Sequence, residues 1–254
     1  MASPRLLMDE PLNSGAQLDL PIERARHLTT VLRLAPGAQV RVFNARDGEW
    51  TAHIERADKR GAILAVEAQV RAASPTPDLD LLFAPVKRHA TDLIVEKAAE
   101  LGARRIRPVL TQRTIAETVR TDRLALIARE AAEQTERFDA PEILPPAPLA
   151  RALDGWEPSR RLIYADESGD DLSQAWGGAA GRAPPLLSAL SQLQQETKLA
   201  LLIGPEGGFD PAERRMLRAL SFVTPVSLGP RILRAESAVI AGLAVIQAGW
   251  GDWR

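Results

Sequence analysis

The amino-acid sequence predicts an α/β protein in two parts: a small antiparallel β-barrel or meander, then a larger domain built on a mainly parallel sheet. Three observations predict it. Apolar and polar residues alternate with period two up to about Ala73; prolines break the chain at Ser74-Pro75-Thr76-Pro77-Asp78; and short apolar runs then alternate with helically spaced segments. The length of 254 residues accommodates one large domain or two unequal ones, at roughly 150 residues per domain.

In the first part, Gln39 to Phe43 and Trp50 to Ile54 read as half-buried strands joined by the turn-forming cluster Asn44-Ala45-Arg46-Asp47-Gly48. A second turn at Asp58-Lys59-Arg60-Gly61 leads into another strand, Ala62 to Val66. Before them, His27 to Leu34 predicts one short helix ending near Pro36-Gly37. Residues 74–78 form a linker between a first domain, 1–73, and a second, 79–254.

In the second domain, strands are expected at Leu79 to Ala84, Ile106 to Leu110, Arg161 to Ala165, Leu199 to Ile203 and Val223 to Leu228. Helices are expected at Ala90 to Leu101, closed by Gly102, and from about Asp122 to Arg137, with Thr121 as N-cap. The run Gly177 to Pro185 reads as a loop. The last helix, Ser237 to Ala248, is apolar nearly all the way round and must be covered on several sides. Either it is a fully buried central helix, or the sheet covers one side and a second subunit the other.

Composition narrows the chemistry. Hydrophobic residues are 45% and charged residues 26% of the chain, an ordinary globular balance. No apolar run is long enough for a signal peptide or anchor, so a cytoplasmic location is expected. Cysteine is absent, which removes disulfides, thiolate metal sites and cysteine nucleophiles. The three histidines, His27, His53 and His89, have no metal-ligand spacing, and no metal is expected. Net charge is −1, and of the 32 basic residues only Lys59, Lys87, Lys97 and Lys198 are lysines. The rest are arginines, suited to bidentate phosphate contacts.

Two segments carry the chemistry. In Leu201-Leu202-Ile203-Gly204-Pro205-Glu206-Gly207-Gly208-Phe209 a buried strand runs into a glycine-rich turn, which lets backbone approach a ligand at the carboxyl end of a strand. It is neither GxxxxGK[ST] nor GxGxxG, and a tight turn with Asp210-Pro211 capping the next helix is the alternative reading. In Leu228-Gly229-Pro230-Arg231-Ile232-Leu233-Arg234-Ala235-Glu236-Ser237-Ala238 a strand end and a Gly-Pro break precede the apolar helix. With Ile232 and Leu233 expected to face the core, Arg231 and Arg234 flank a buried junction where unpaired charge is costly.

At these residues the chain resembles the RsmE family, the ribosomal RNA small-subunit methyltransferase E enzymes of the SPOUT class. Pro4-Arg5, His27-Leu28 with Val31-Leu32-Arg33, Glu96-Lys97-Ala98-Ala99-Glu100-Leu101-Gly102, Arg113, and Glu133-Gln134 with Arg137 before Pro141-Glu142-Ile143 extend the resemblance over almost the whole chain. It departs at Ala235, where the family usually has threonine, and at Ser237, where threonine is frequent.

The resemblance implies a SPOUT-type α/β domain with a trefoil knot behind a PUA-like RNA-binding barrel. It implies a homodimer that methylates N3 of a uridine in 16S rRNA with S-adenosylmethionine. Backbone groups of Leu202, Ile203, Gly204, Pro205, Glu206, Gly207 and Gly208 would hold the cofactor, with Leu228, Gly229, Ile232, Leu233, Ser237 and Ala238 of the second motif. Uridine N3 must lose a proton, so Arg234 is expected to stabilise negative charge on the uracil oxygens and Glu206 or Glu236 to assist deprotonation. The missing cysteine argues against methylation at pyrimidine C5, which commonly proceeds through a cysteine adduct. The first 73 residues hold ten basic and nine acidic side chains, so RNA contact depends on arrangement, with Arg5, Arg33, Arg41, Lys87 and Arg231 the preferred members. A SPOUT 2'-O-ribose methyltransferase and a non-catalytic RNA-binding assembly factor share the scaffold as alternatives.

Overall fold

A computed structural model describes residues 3–115, 118–171, 173–194 and 198–253. The chain divides into two compact units, one running up to Thr76 and including Ala132–Ala140, the other comprising Pro77–Ala131 and the chain from Pro141 onward.

The first unit holds strands β1 (Arg5–Leu7), β2 (Gln17–Pro21), β3 (Gln39–Asn44), β4 (Gly48–Asp58) and β5 (Gly61–Arg71) in the order β1-β3-β4-β5-β2. All neighbours are antiparallel except β1 and β3. Alternation places Leu18, Leu20, Val40, Val42, Ala52, Ile54 and Leu64 in one core. The helix expected at His27 to Leu34 starts earlier and ends sooner. Helix α1 (Ile22–Arg26) follows β2 directly and continues as a π turn over His27–Val31. Ala25 and Leu28 face the core, the Thr29 hydroxyl donates to the Ala25 carbonyl at 2.9 Å, and Arg33 leaves the helix at φ 55°.

Several residues of the family resemblance are staples of this unit. Glu133 accepts from the Leu7 amide at 2.9 Å and from Arg24 at 2.8 Å. Phe138 packs with Leu7 and Phe43, and Arg71 lies over its ring. Arg5, expected on an RNA-facing surface, is drawn inward instead. Its side chain is 11% exposed, pairs with Glu49, donates to the carbonyls of Glu133 and Arg137, and lies 4.0 Å from the centre of the Phe43 ring. A long stem with five donors suits this knitting role, which leaves the guanidinium little to offer a phosphate.

The second unit is a parallel sheet in the order β12-β10-β11-β6-β7-β8, with β9 pairing β7 further along. Its elements are β6 (Leu79–Phe83), α2 (Arg88–Glu100), β7 (Arg105–Leu110), α3 (Thr121–Gln134), β8 (Glu142–Ile143), β9 (Ala147–Pro148), α4 (Leu149–Leu153), β10 (Arg160–Ala165), α5 (Leu186–Leu190), β11 (Lys198–Ile203), α6 (Pro211–Ala219), β12 (Val223–Val226) and α7 (Ala235–Gly249). The central strands are apolar on both sides because both faces are covered. Leu199, Leu201 and Ile203 join a core with residues of α2, α3, α5 and α7, while Ala200 and Leu202 join the opposite core with α4 and α6.

Helix α7 explains its all-round apolarity in part. Ala238, Val239, Leu243 and Ile246 are buried in the core, whereas Ser237, Ile240 and Ala248 are exposed. Gly242 has no side chain because a Cβ there would stand 2.8 Å from Leu201 Cδ2, so its absence lets α7 lie close on β11.

Candidate active site

The carboxyl ends of β10, β11 and β12 bound a cleft of about 530 Å³ measured out to solvent, where ligands bind in open α/β sheets. The glycine-rich turn forms one wall and serves both of its expected roles. Asp210 caps α6 in a capping box with Glu213, and Pro211 opens the helix. Gly204 permits close packing, since a Cβ would stand 2.6 Å from the ring of Phe209, itself edge-on to buried Tyr164. Gly208 is at φ 66°, and a Cβ there would come within 2.6 Å of Glu167 Oε1 and 3.2 Å of the Trp176 ring.

The segment after β10 supplies the second wall. Asp166 is buried, its carboxylate gripped by Arg214 Nε at 2.9 Å and by Arg218 Nε at 2.7 Å, both from α6. Its amide donates to the Val226 carbonyl on β12. Arg214 also donates to Asp170 and to the Ser168 carbonyl, so α6 fastens the whole 166–170 segment. Next to this clamp stands Glu167, half-buried. Burial first, and then the Asp166 charge, push its carboxyl above the ordinary carboxylate range.

The third wall is the second motif. Ser227 Oγ accepts from the Gly229 amide at 3.1 Å, and Leu228 and Leu233 pack against the main core. Ile232 corrects the expectation of a core-facing pair: it lines the cleft and is 40% exposed. Arg231 and Arg234 are exposed as well, so the motif is a surface loop folded over the cleft rather than a buried junction. Solvation removes the cost that buried arginines would have carried.

Of the residues expected from sequence, the cleft gathers Ile203, Gly204, Pro205, Glu206, Leu228, Gly229, Arg231, Ile232, Leu233 and Ala238. Leu202 points into the opposite core, and Gly207 borders a neighbouring groove. Arg234, Glu236 and Ser237, at the start of α7, do not line the cleft. Sequence reasoning missed Asp166, Glu167 and Trp176 on its walls. An Asp-Glu-Ser-Gly run directly after an apolar strand was the available signal for the two carboxylates; Trp176 had none. Of the other arginines and the lysine expected to meet RNA, Arg33 and Lys87 are exposed and Arg41 is half-buried. Among the described residues no group of His, Asp or Glu is arranged to hold a metal, and no helix is long and apolar enough to cross a membrane.

Apolar walls, backbone edges and carboxylates at the ends of parallel strands define an α/β protein with a ligand-sized cleft where such sheets bind their ligands. The chain belongs to the RNA methyltransferase family: residues 73–247 match its RNA methyltransferase domain and residues 20–67 its PUA domain. It is 27% identical over 244 residues to ribosomal RNA small subunit methyltransferase E of Rickettsia conorii, covering 96% of this chain and 94% of that one. Identity to the enzyme of the same name from Synechocystis is 29% over 235 residues, covering 92% and 73%. The crystal structure of ribosomal RNA small subunit methyltransferase E from Neisseria gonorrhoeae, bound to S-adenosyl methionine, superposes with a TM-score of 0.81 at 26% identity over the full length of both chains.

Proposed function

We propose that this protein methylates N3 of a uridine in 16S rRNA with S-adenosylmethionine, as a cytoplasmic homodimer. The observation that carries the reading is the cleft itself, which draws both sequence motifs to the carboxyl ends of three adjacent parallel strands. The residues present fit the cofactor. Ile203, Leu228, Leu233 and Ala238 offer apolar surface for an adenine, while Glu206 offers a carboxylate to the cofactor's cationic end. When bound, the cofactor supplies an electrophilic methyl group that needs little further activation.

The protein's task is then orientation and proton removal. Uridine N3 retains its proton at neutral pH, so an acceptor and a nearby positive charge are both required. Glu167 is the cleft carboxyl with raised proton affinity and takes the N3 proton; Glu206 lines the cleft beside it. Arg234, exposed at the start of α7, supplies positive charge to the uracil oxygens, with Arg231 at the cleft. Glu236, in the first turn of α7, favours the helix dipole. The exposed face of α7 around Ile240 is the subunit contact, and the trefoil knot belongs to the same reading.

The test is methyl transfer from labelled cofactor to small ribosomal subunits, with cofactor binding followed by calorimetry. Arg234→Ala is expected to reduce the rate at saturating cofactor by about 10²-fold or more, with cofactor affinity retained. Normal transfer by that variant would remove Arg234 from the mechanism.

A further inference from the structure

An open groove of about 1580 Å³ adjoins the cofactor cleft and shares Trp176 with it. Its lining carries four arginines, Arg113, Arg214, Arg215 and Arg218, against one carboxylate, Asp170. Two of the four are engaged: Arg214 and Arg218 hold Asp166 and Asp170. The other two form no salt bridge among the described residues. Arg113 gives one N–H to the Gly207 carbonyl at 2.8 Å, and its charge reaches the Glu167 carboxyl without a direct ion pair. Arg215 is exposed on α6, and its side chain makes no salt bridge among the described residues. In a chain of net charge −1, this is a local excess of positive charge beside the reaction site.

Trp176 supplies the second element. Its backbone sits at φ 54°, ψ 30°, a left-handed conformation that costs a bulky residue about 1 kcal/mol or more. Hydrogen bonds from the Gly169 amide to the Trp176 carbonyl and from the Asp171 amide to the Gly177 carbonyl, each 2.9 Å, hold the turn in place. The indole is 37% exposed where cleft and groove meet. A flat aromatic face beside guanidiniums free of salt bridges is an arrangement by which proteins hold single-stranded nucleic acid.

We propose that this groove is the seat of the RNA strand flanking the target nucleotide, with a base stacked on Trp176 and phosphates held by Arg113 and Arg215. Arginine suits both tasks, since its planar fork matches a phosphodiester. The proposal rests on reading the protein as an RNA methyltransferase, and it places the substrate strand so that the target base enters the cleft past Trp176.

The test is binding of a labelled single-stranded oligouridylate to the full-length protein over a series of salt concentrations, with cofactor affinity measured in parallel. Each lost phosphate contact lowers the slope of log K against log salt by about 0.7 for a single strand. The double variant Arg113→Ala/Arg215→Ala is therefore expected to bind more weakly, with a slope reduced by about 1.4. Trp176→Ala is expected to weaken binding by about 5- to 150-fold, and Trp176→Phe to retain most of it. Arg151→Ala, at an exposed position of α4 outside the groove lining, is the charge control and should behave as wild type. Unchanged affinity and slope in the double variant, or a change equalled by the control, would overturn the proposal. Retained cofactor binding shows that each variant is folded; if Trp176→Ala loses it, the arginine pair decides alone. A wild-type protein that fails to bind cofactor while the arginine effect persists would leave the groove standing and remove the methyltransferase reading.

Discussion

Asp166→Ala is expected to destabilise the protein by about 3 kcal/mol, the lower end of the range for breaking a buried ion pair. The side chain of Asp166 is 1% exposed, and its two oxygens receive Arg214 and Arg218, themselves 15% and 28% exposed. Truncation leaves two partly buried guanidiniums facing a void. Arg214 keeps Asp170 and the Ser168 carbonyl, which is why the upper end of the range is not reached. In a chain of 254 residues this corresponds to a fall in Tm of roughly 6–12 °C. Cofactor binding should weaken with it, because the clamp positions the 166–170 wall of the cleft. Asp166→Asn, which keeps the shape without the charge, should fall between wild type and alanine. Thermal unfolding and calorimetry on the three proteins check the order; an alanine variant as stable as wild type would show that the clamp contributes nothing net.

Glu167→Gln should act in opposite directions on activity and stability. As the proposed acceptor of the N3 proton, Glu167 is expected to contribute about 10²–10⁴-fold to the rate, which the amide would remove. The stability effect follows from the direction of its pKa. Burial raises the carboxyl above its ordinary value of 4.5, so the folded state binds the proton more tightly than the unfolded state. Below the ordinary value both states are protonated and nothing is lost. As pH rises through the raised value, ionisation costs the folded protein stability. Relative to wild type, Glu167→Gln should therefore gain Tm as pH rises from the ordinary value through the raised one, while its rate stays below that of wild type. The wild-type rate should rise with pH over the same interval and the variant's should not. A variant that loses no activity, or whose Tm difference is independent of pH, would remove Glu167 from its assigned role.

Much of this architecture was legible in the chain because periodicity survives translation into burial. The strands from Gln39 to Phe43 and from Leu199 to Ile203 lie within β3 and β11, and the Pro-Gly punctuation marked the turns beside them. The helix starts at Ile22 rather than His27; Ile22 to Arg26 is too polar to signal helix locally, and packing of Ala25 and Leu28 into the barrel selects it. The glycine-rich turn pointed to the cleft because close approach at Gly204 and Gly208 leaves a mark in residue type, and the Gly229-Pro230 break marked the turn of the second motif. Two apolar residues between the arginines give the Arg231 to Arg234 segment the pattern of a buried junction, yet Ile232 faces the cleft from a surface loop. Arg5 was legible as part of a motif but not as a buried staple, since its partners Glu49 and the Glu133 carbonyl are distant in sequence. Trp176 and the arginines of the groove follow only from tertiary placement, which local pattern does not carry.

Nucleoside mass spectrometry of 16S rRNA from cells with and without this gene measures the central claim most directly. The account predicts that N3-methyluridine disappears in the deletion strain and returns when the intact protein, but not the Glu167→Gln variant, is supplied. An unchanged N3-methyluridine signal accompanied by loss of a ribose methyl group would contradict it.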